Sequence, residues 1–197
     1  MAEPLASEAR RQLFTDARSQ NAWLDKPVSD IVLRELYDLT KWGPTSMNCS
    51  PMRLVFVRSP HARERLLEAV SPGNVAKVRT APVVAIVAQD TRFYDRLPQL
   101  FPHRPESGKL FHDQPKLAEE TGFRNSSLQG GYFILAARTL GLDCGPLSGF
   151  NAEAVNTLFF DGTPLRVNFL CCLGYGDPRG LFPRSPRLAF DEACRVI

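Results

Sequence analysis

Apolar residues at helical spacing appear first between Leu5 and Thr15, which predicts an opening helix. A second helix is predicted where Ser29-Asp30 precede Ile31, Val32, Leu36 and Leu39. A capping side chain stands there ahead of apolar positions three and four apart, and Trp42-Gly43-Pro44 stops the run. Leu54-Val55-Phe56-Val57 reads as a short strand. Ser59-Pro60 has the form of an N-cap followed by proline at the first helical position, opening a helix to about Val70. Val83 to Ala88 is apolar throughout and so reads as a central strand covered on both faces.

The strongest helical pattern runs from Asn125 to Leu142. Leu128, Tyr132, Leu135 and Leu140 line one side, Gly130, Gly131, Ala136 and Ala137 admit a close neighbour, and Gly141 ends it. Asn151 is placed to cap a helix through Phe159, and Val167 to Leu173 reads as a last buried strand closed by Gly174-Tyr175-Gly176-Asp177. Thr91 to Gly122 breaks the pattern. Pro98, Pro102, Pro105 and Pro115 forbid one long helix there, and the aromatics among them suggest a lid-like, irregular excursion. Helices and strands mix without regular strand–helix–strand alternation. The expectation is one domain over residues 1–197, with a central sheet carrying helices on both faces.

Composition narrows the function classes. The chain has 197 residues, 44% hydrophobic and 23% charged, as expected of a globular domain with a real core. The formal net charge is +3 and no block of like charges occurs, which argues against a nucleic-acid or membrane surface. Met1 to Phe14 lacks the apolar core of a secretory signal, and Val83 to Ala88 is too short to span a bilayer. Five cysteines without a C-x-x-C pair predict reduced thiols and cytoplasmic residence rather than a disulfide scaffold or zinc site. His61, His103 and His112 have no partner at ligand spacing, so no metal is expected. Cys171 and Cys172 point to opposite faces of their predicted strand and read as buried structural thiols.

Nucleophilic and dinucleotide motifs are also missing. Leu147-Ser148-Gly149 lacks the first glycine of a nucleophile elbow. Gly174-Tyr175-Gly176 opens no helix and reads as a turn. What remains is four polar segments: Ala17-Arg18-Ser19-Gln20-Asn21, Gly43 to Pro51, Gly145 to Phe150, and Phe182 to Leu188. Singly, each is as well explained by caps and turns.

In this order and at these separations, the four segments resemble the FMN-dependent nitroreductase family. Lys41 to Pro51 and Arg184-Ser185-Pro186-Arg187-Leu188 are similar to its malonic-semialdehyde reductase (RutE-like) branch. The resemblance covers the chain from Arg18 to Arg187. It implies an α+β nitroreductase-like fold with a central mixed, mostly antiparallel sheet, assembled as a homodimer with FMN at the interface. Arg18 and Arg187, with Arg184 next and Ser19 adding a hydroxyl, would grip the phosphate; planar guanidinium groups suit that task. Thr45, Ser46 and Asn48 would reach the partner's flavin.

By the same resemblance, Lys77, Asn74 and Asn125 fall at ring-edge positions, although Lys77 reads equally well as an exposed helix lysine. Backbone of Pro146, Leu147, Ser148 and Gly149 would face the ring, where fixed amide dipoles suit developing charge. The chain departs from its relatives at Asn21, where many have a basic residue, at Ser148, where many have Glu, and at Ser50, where many have Gln. These departures concern ring-edge contacts and substrate preference.

The implied activity is ping-pong hydride transfer from NADH or NADPH, through FMN, to a small oxidised substrate. The flavin carries the chemistry and no side chain serves as nucleophile. The branch suggests reduction of 3-oxopropanoate to 3-hydroxypropanoate in pyrimidine breakdown, with Arg104 and Lys109 as candidates for its carboxylate. Nitroaromatic or quinone reduction is the same-class alternative. A flavin-binding protein without turnover and a cofactor-free interaction domain are the alternatives from other classes.

Overall fold

The computed structural model describes residues 3–197. The opening helix is α1 (Ser7–Arg10), which runs on as a π-helical turn over Arg11–Thr15. Helix α2 (Asp30–Thr40) starts as expected, with the Ser29 hydroxyl accepting from the Val32 amide. Strand β1 (Met52–Val57) leads to α3 (Pro60–Leu67), whose cap Ser59 accepts from Ala62 N. Helix α4 (Val75–Thr80) precedes β2 (Val83–Asp90). Helix α8 (Ala152–Phe160) is capped by Asn151, and β4 (Leu165–Gly174) is the last strand.

Two expectations need correcting. The segment 91–122 is not irregular. It folds as α5 (Leu97–Leu100), α6 (Gly108–Asp113) and two short 3-10 turns, then enters α7 (Pro115–Thr139). Phe93, Leu97, Phe111 and Ala118 pack there into a small core with Cys49. The long helix therefore begins at Pro115, ten residues before Asn125, and ends where Gly141 takes φ +71°. The second correction is β3 (Asp143–Leu147), a strand where the sequence suggested a loop.

The sheet order is β1-β2-β4-β3, with every neighbouring pair antiparallel. A single parallel bridge from Ser19 to Cys144 lies against β3 and makes the pairing mixed. Strand alternation divides the core into two layers. Val84, Ile86, Leu170 and Cys172 face α3, α4 and α8 through Leu66, Val78 and Val155. Val83, Ala85, Cys171 and Leu173 face α2 and α7 through Leu36, Phe133 and Ala137. The neighbouring thiols Cys171 and Cys172 thus sit in opposite layers, fully buried. Gly130 lets α7 close on the sheet, since a Cβ there would lie 2.6 Å from the Phe169 ring.

Candidate functional site

The predicted site residues fall into three groups. The first is held by cross-stitching of the two chain ends. Arg184 Nη2 donates to Thr15 O at 2.7 Å and Ala17 O at 3.0 Å, while Arg18 Nη2 donates to Phe182 O. Arg18, Ser19, Asn21, Arg184 and Arg187 consequently line one cavity of about 610 Å³. Arg138, from the last turn of α7, joins them, with its Nη1 donating to Leu13 O at 2.7 Å. Among the described residues, no acidic side chain lines this cavity. Its guanidinium groups meet backbone carbonyls rather than carboxylates, and Arg187 folds onto Ser185 O and Pro186 O. Four uncompensated guanidinium charges around one cavity suit a multiply charged oxyanion.

The second group follows β3. Gln20 N donates to Cys144 O at 2.9 Å, so the segment after Arg18 runs beside the strand. Lys77 is only 8% exposed, which removes the exposed-lysine reading. Its Nζ reaches Pro146 O at 3.4 Å, and among the described residues it has no carboxylate within ion-pair distance. A glycine is needed opposite, because a Cβ on Gly145 would lie 2.6 Å from both Lys77 Cε and Gln20 O. Asn74 Nδ2 donates to Gly149 O at 3.2 Å. Pro146, Leu147 and Ser148 form a shallow ledge of about 420 Å³ with Gly131 of α7 and Phe169 of β4. An ammonium buried without a counter-charge fits an anionic group, and the residue whose carbonyl it reaches, Pro146, is also part of the ledge.

The third group lies before β1, at the opposite edge of the four-stranded sheet and roughly 14 Å away on normal strand spacing. Thr45 Oγ1 accepts from Ser50 N at 3.1 Å, Ser46 N donates to Asn125 Oδ1 at 2.8 Å, and Asn48 Nδ2 donates to Leu100 O at 2.8 Å. Asn125 also donates to Thr121 O, so both ends of its buried amide hold protein backbone. Within the chain this group shares no cavity with Arg18, Arg138, Arg184 and Arg187. Arg104 and Lys109 are exposed and line neither the arginine cavity, nor the ledge, nor the cleft beside Asn48.

Sequence reasoning passed over two residues. Arg138 reads as an ordinary cation in a helix C-terminal turn, with no local pattern to mark it. Gln20 stands inside a quoted segment, but its significance is three-dimensional: it is 6% exposed and its Oε1 is buried without a partner.

Comparison with known proteins places the chain. The sequence pattern of the Nitroreductase family matches residues 15–175. A protein of Ralstonia pickettii, provisionally named NADH dehydrogenase/NAD(P)H nitroreductase HadB, is 62% identical over 186 residues, covering 93% of this chain and 95% of that protein. A Cupriavidus pinatubonensis protein with the same provisional activity name is 58% identical over 192 residues, covering 96% and 98%. Among solved structures, the Bacillus subtilis protein ydfN superposes with a TM-score of 0.88 at 22% identity, covering 98% of this chain and all of that one. An Exiguobacterium sibiricum structure, solved in complex with FMN, gives 0.81 at 18% identity with full coverage of both chains. The chain belongs to the nitroreductase family.

Proposed function

We propose that the protein is an FMN-dependent NAD(P)H oxidoreductase acting as a homodimer. The observation that carries this reading is the cavity where Arg18, Arg184, Arg187 and Arg138 converge, with no acidic side chain among its described lining residues. The names of the relatives, NAD(P)H nitroreductases, and the FMN bound by a protein of the same fold support it.

When bound, FMN supplies reversible two-electron chemistry, taking a hydride from NADH or NADPH and passing one to an oxidised substrate. The protein's share is binding and electrostatics. Arg18, Arg184 and Arg187, with Ser19, hold the phosphate. Lys77 presents a positive charge to the ring edge, where reduction develops negative charge, and Asn74 adds an amide beside it. The backbone of Pro146 to Gly149 is the ledge for the ring. Gly149 lets its loop close on Asn74, since a Cβ there would clash with the Asn74 amide. Thr45, Ser46 and Asn48, remote from the arginines within one protomer, act on the partner's cofactor.

The substrate proposed is 3-oxopropanoate, reduced to 3-hydroxypropanoate in the cytoplasm, with nitroaromatic or quinone reduction as a side activity of an open flavin face. The test is anaerobic mixing of the FMN-loaded protein with NADPH or NADH. Turnover is then measured with 3-oxopropanoate, a nitroaromatic and a quinone side by side. Bleaching of the flavin followed by reoxidation by the aldehyde is expected. A yellow protein that no nicotinamide bleaches is a binder and not an enzyme. A specificity constant orders of magnitude higher for the nitroaromatic rejects the aldehyde.

A further inference from the structure

A second cavity, of about 730 Å³, opens between α2, β1 and α5. Its volume lies within the range of small-molecule sites. Three cations line it, Lys41, Arg53 and Arg96, and no acidic side chain does. Two of the three are already engaged: Lys41 Nζ pairs with Asp38 at 2.5 Å, and Arg53 Nη2 with Asp90 at 2.8 Å. Arg53 is further fixed by donating to Ser50 O and Met52 O. Arg96 has no hydrogen-bond or ion-pair partner among the described residues. Among the described residues it is the one cation lining this cleft without a side-chain partner.

The remaining walls suit a flat apolar body. Trp42 is 79% exposed, the most exposed of the large aromatic side chains, and Tyr37 and Phe56 stand beside it. The rim loop is strained. Met47, Asn48 and Ser50 take φ values of 53°, 49° and 38°, three left-handed residues without glycine around a right-handed Cys49. Residues in such conformations persist where surrounding bonds over-determine them, and they concentrate at ligand sites. Here the loop is held by Ser46 N donating to Asn125 Oδ1, Ser50 N donating to Thr45 Oγ1 and Asn48 Nδ2 donating to Leu100 O.

We propose that this cleft binds an aromatic oxyanion, with Arg96 taking the charged group and Trp42 covering the ring. The cleft shares only Asn48 with the residues assigned above to the cofactor, so it is tested separately. Calorimetric titration of the FMN-loaded protein, whose arginine cavity is then filled, with benzoate, phenyl phosphate and the neutral isostere benzamide measures the charge requirement. Charge-assisted hydrogen bonds are the strong ones. The benzoate or phenyl phosphate Kd is therefore expected about tenfold or more below that of benzamide, and R96Q should erase the difference while R104Q preserves it. Loss of affinity in R96Q for only one of the two anions identifies carboxylate or phosphate as the class taken. Tryptophan fluorescence should change on binding, and the change should vanish in W42F, which retains only the half-buried Trp23. Benzamide binding as tightly as the anions, unchanged anion affinity in R96Q, or no saturable binding overturns the proposal.

Discussion

A lysine that is 8% exposed and reaches one carbonyl at 3.4 Å has surrendered most of its hydration for little return. Lys77→Met keeps the length of the side chain and removes the buried charge. The apo protein is expected to melt at the same temperature or higher, while the Kd for FMN rises about tenfold, the order of one charge-assisted bond. Thermal melts with and without FMN check both halves, and unchanged FMN affinity would reduce Lys77 to a packing residue. The buried thiols make a different prediction. Burial pushes Cys49 up to about 11 and Cys172 up to about 12, and Cys171 also rises, first through its hydrogen bond with Cys144 and then through burial. A group whose folded value is raised stabilises the fold while protonated. That contribution is whole below the unfolded value of about 8.5 and is lost as pH climbs toward 11–12. In Cys172→Ala the cavity lowers stability at every pH, but the decline above pH 9 should be shallower by up to one proton, about 1.4 kcal/mol per pH unit. Urea midpoints at pH 8 and pH 10.5 measure the slope, and parallel profiles for the two proteins would refute the assignment.

At the scale of elements, what was legible in the sequence follows from how local its causes are. The helices after Ser29, Ser59 and Asn151 announce themselves because a cap is one side chain bonding a backbone amide three residues on. Strand β2 and the second half of β4, Leu170 to Gly174, announce themselves because burial on both faces leaves no room for polar positions, whereas Arg166 and Asn168 mark the half-exposed start of β4. The segment 91–122 departs from the expected irregular excursion for a physical reason. Pro98, Pro105 and Pro115 each sit in the first turn of a short or long helix, where the missing N–H costs nothing, so the prolines start helices there instead of preventing them. Strand β3 was hidden because Gly145 and Pro146 look like a turn. Its Pro146 is tolerated on a strand whose outer side carries only the bridge from Ser19. Of the candidate site, the ordered segments and the resemblance they carry named Arg18, Ser19, Asn21, Arg184 and Arg187, which share one cavity. The site's third group also depends on α7, whose early start at Pro115 places Asn125 inside a helix, aimed at the strained loop. Asn125→Ala leaves the Ser46 amide without its partner. A loss of about 1–3 kcal/mol is expected, with faster amide exchange and proteolysis confined to residues 45–50. Exchange that speeds evenly across the molecule would mean that Asn125 supports the core and not this loop.

On the scale of the whole molecule, two features point beyond a single copy. The arginine cavity and the Thr45–Asn48 loop lie at opposite sheet edges, yet the proposed function gives both to one cofactor site. The surface also keeps apolar side chains in water: Phe123 and Leu128 on α7, and Phe182 and Leu188 in the segment that carries Arg184 and Arg187. A second copy related by a two-fold axis accounts for both, because it would cover these side chains and bring one subunit's loop to the other's arginines. The cofactor then stabilises fold and assembly together. At one hundred times its Kd, FMN should add about 2.7 kcal/mol, which for a chain of this length raises the melting temperature by roughly 5–10 °C. Leu128→Glu separates assembly from folding. An exposed helical position accepts glutamate with little change in the monomer's own stability, but a carboxylate facing its symmetry mate in an apolar interface opposes association. Sedimentation should show the wild type at twice the monomer mass and the variant at the monomer mass. Because the loop and the arginines then no longer meet, FMN should protect the variant against melting by less than half as much. A monomeric variant that binds FMN as tightly as the wild type would place the whole cofactor site within one chain and leave Thr45, Ser46 and Asn48 without their proposed role.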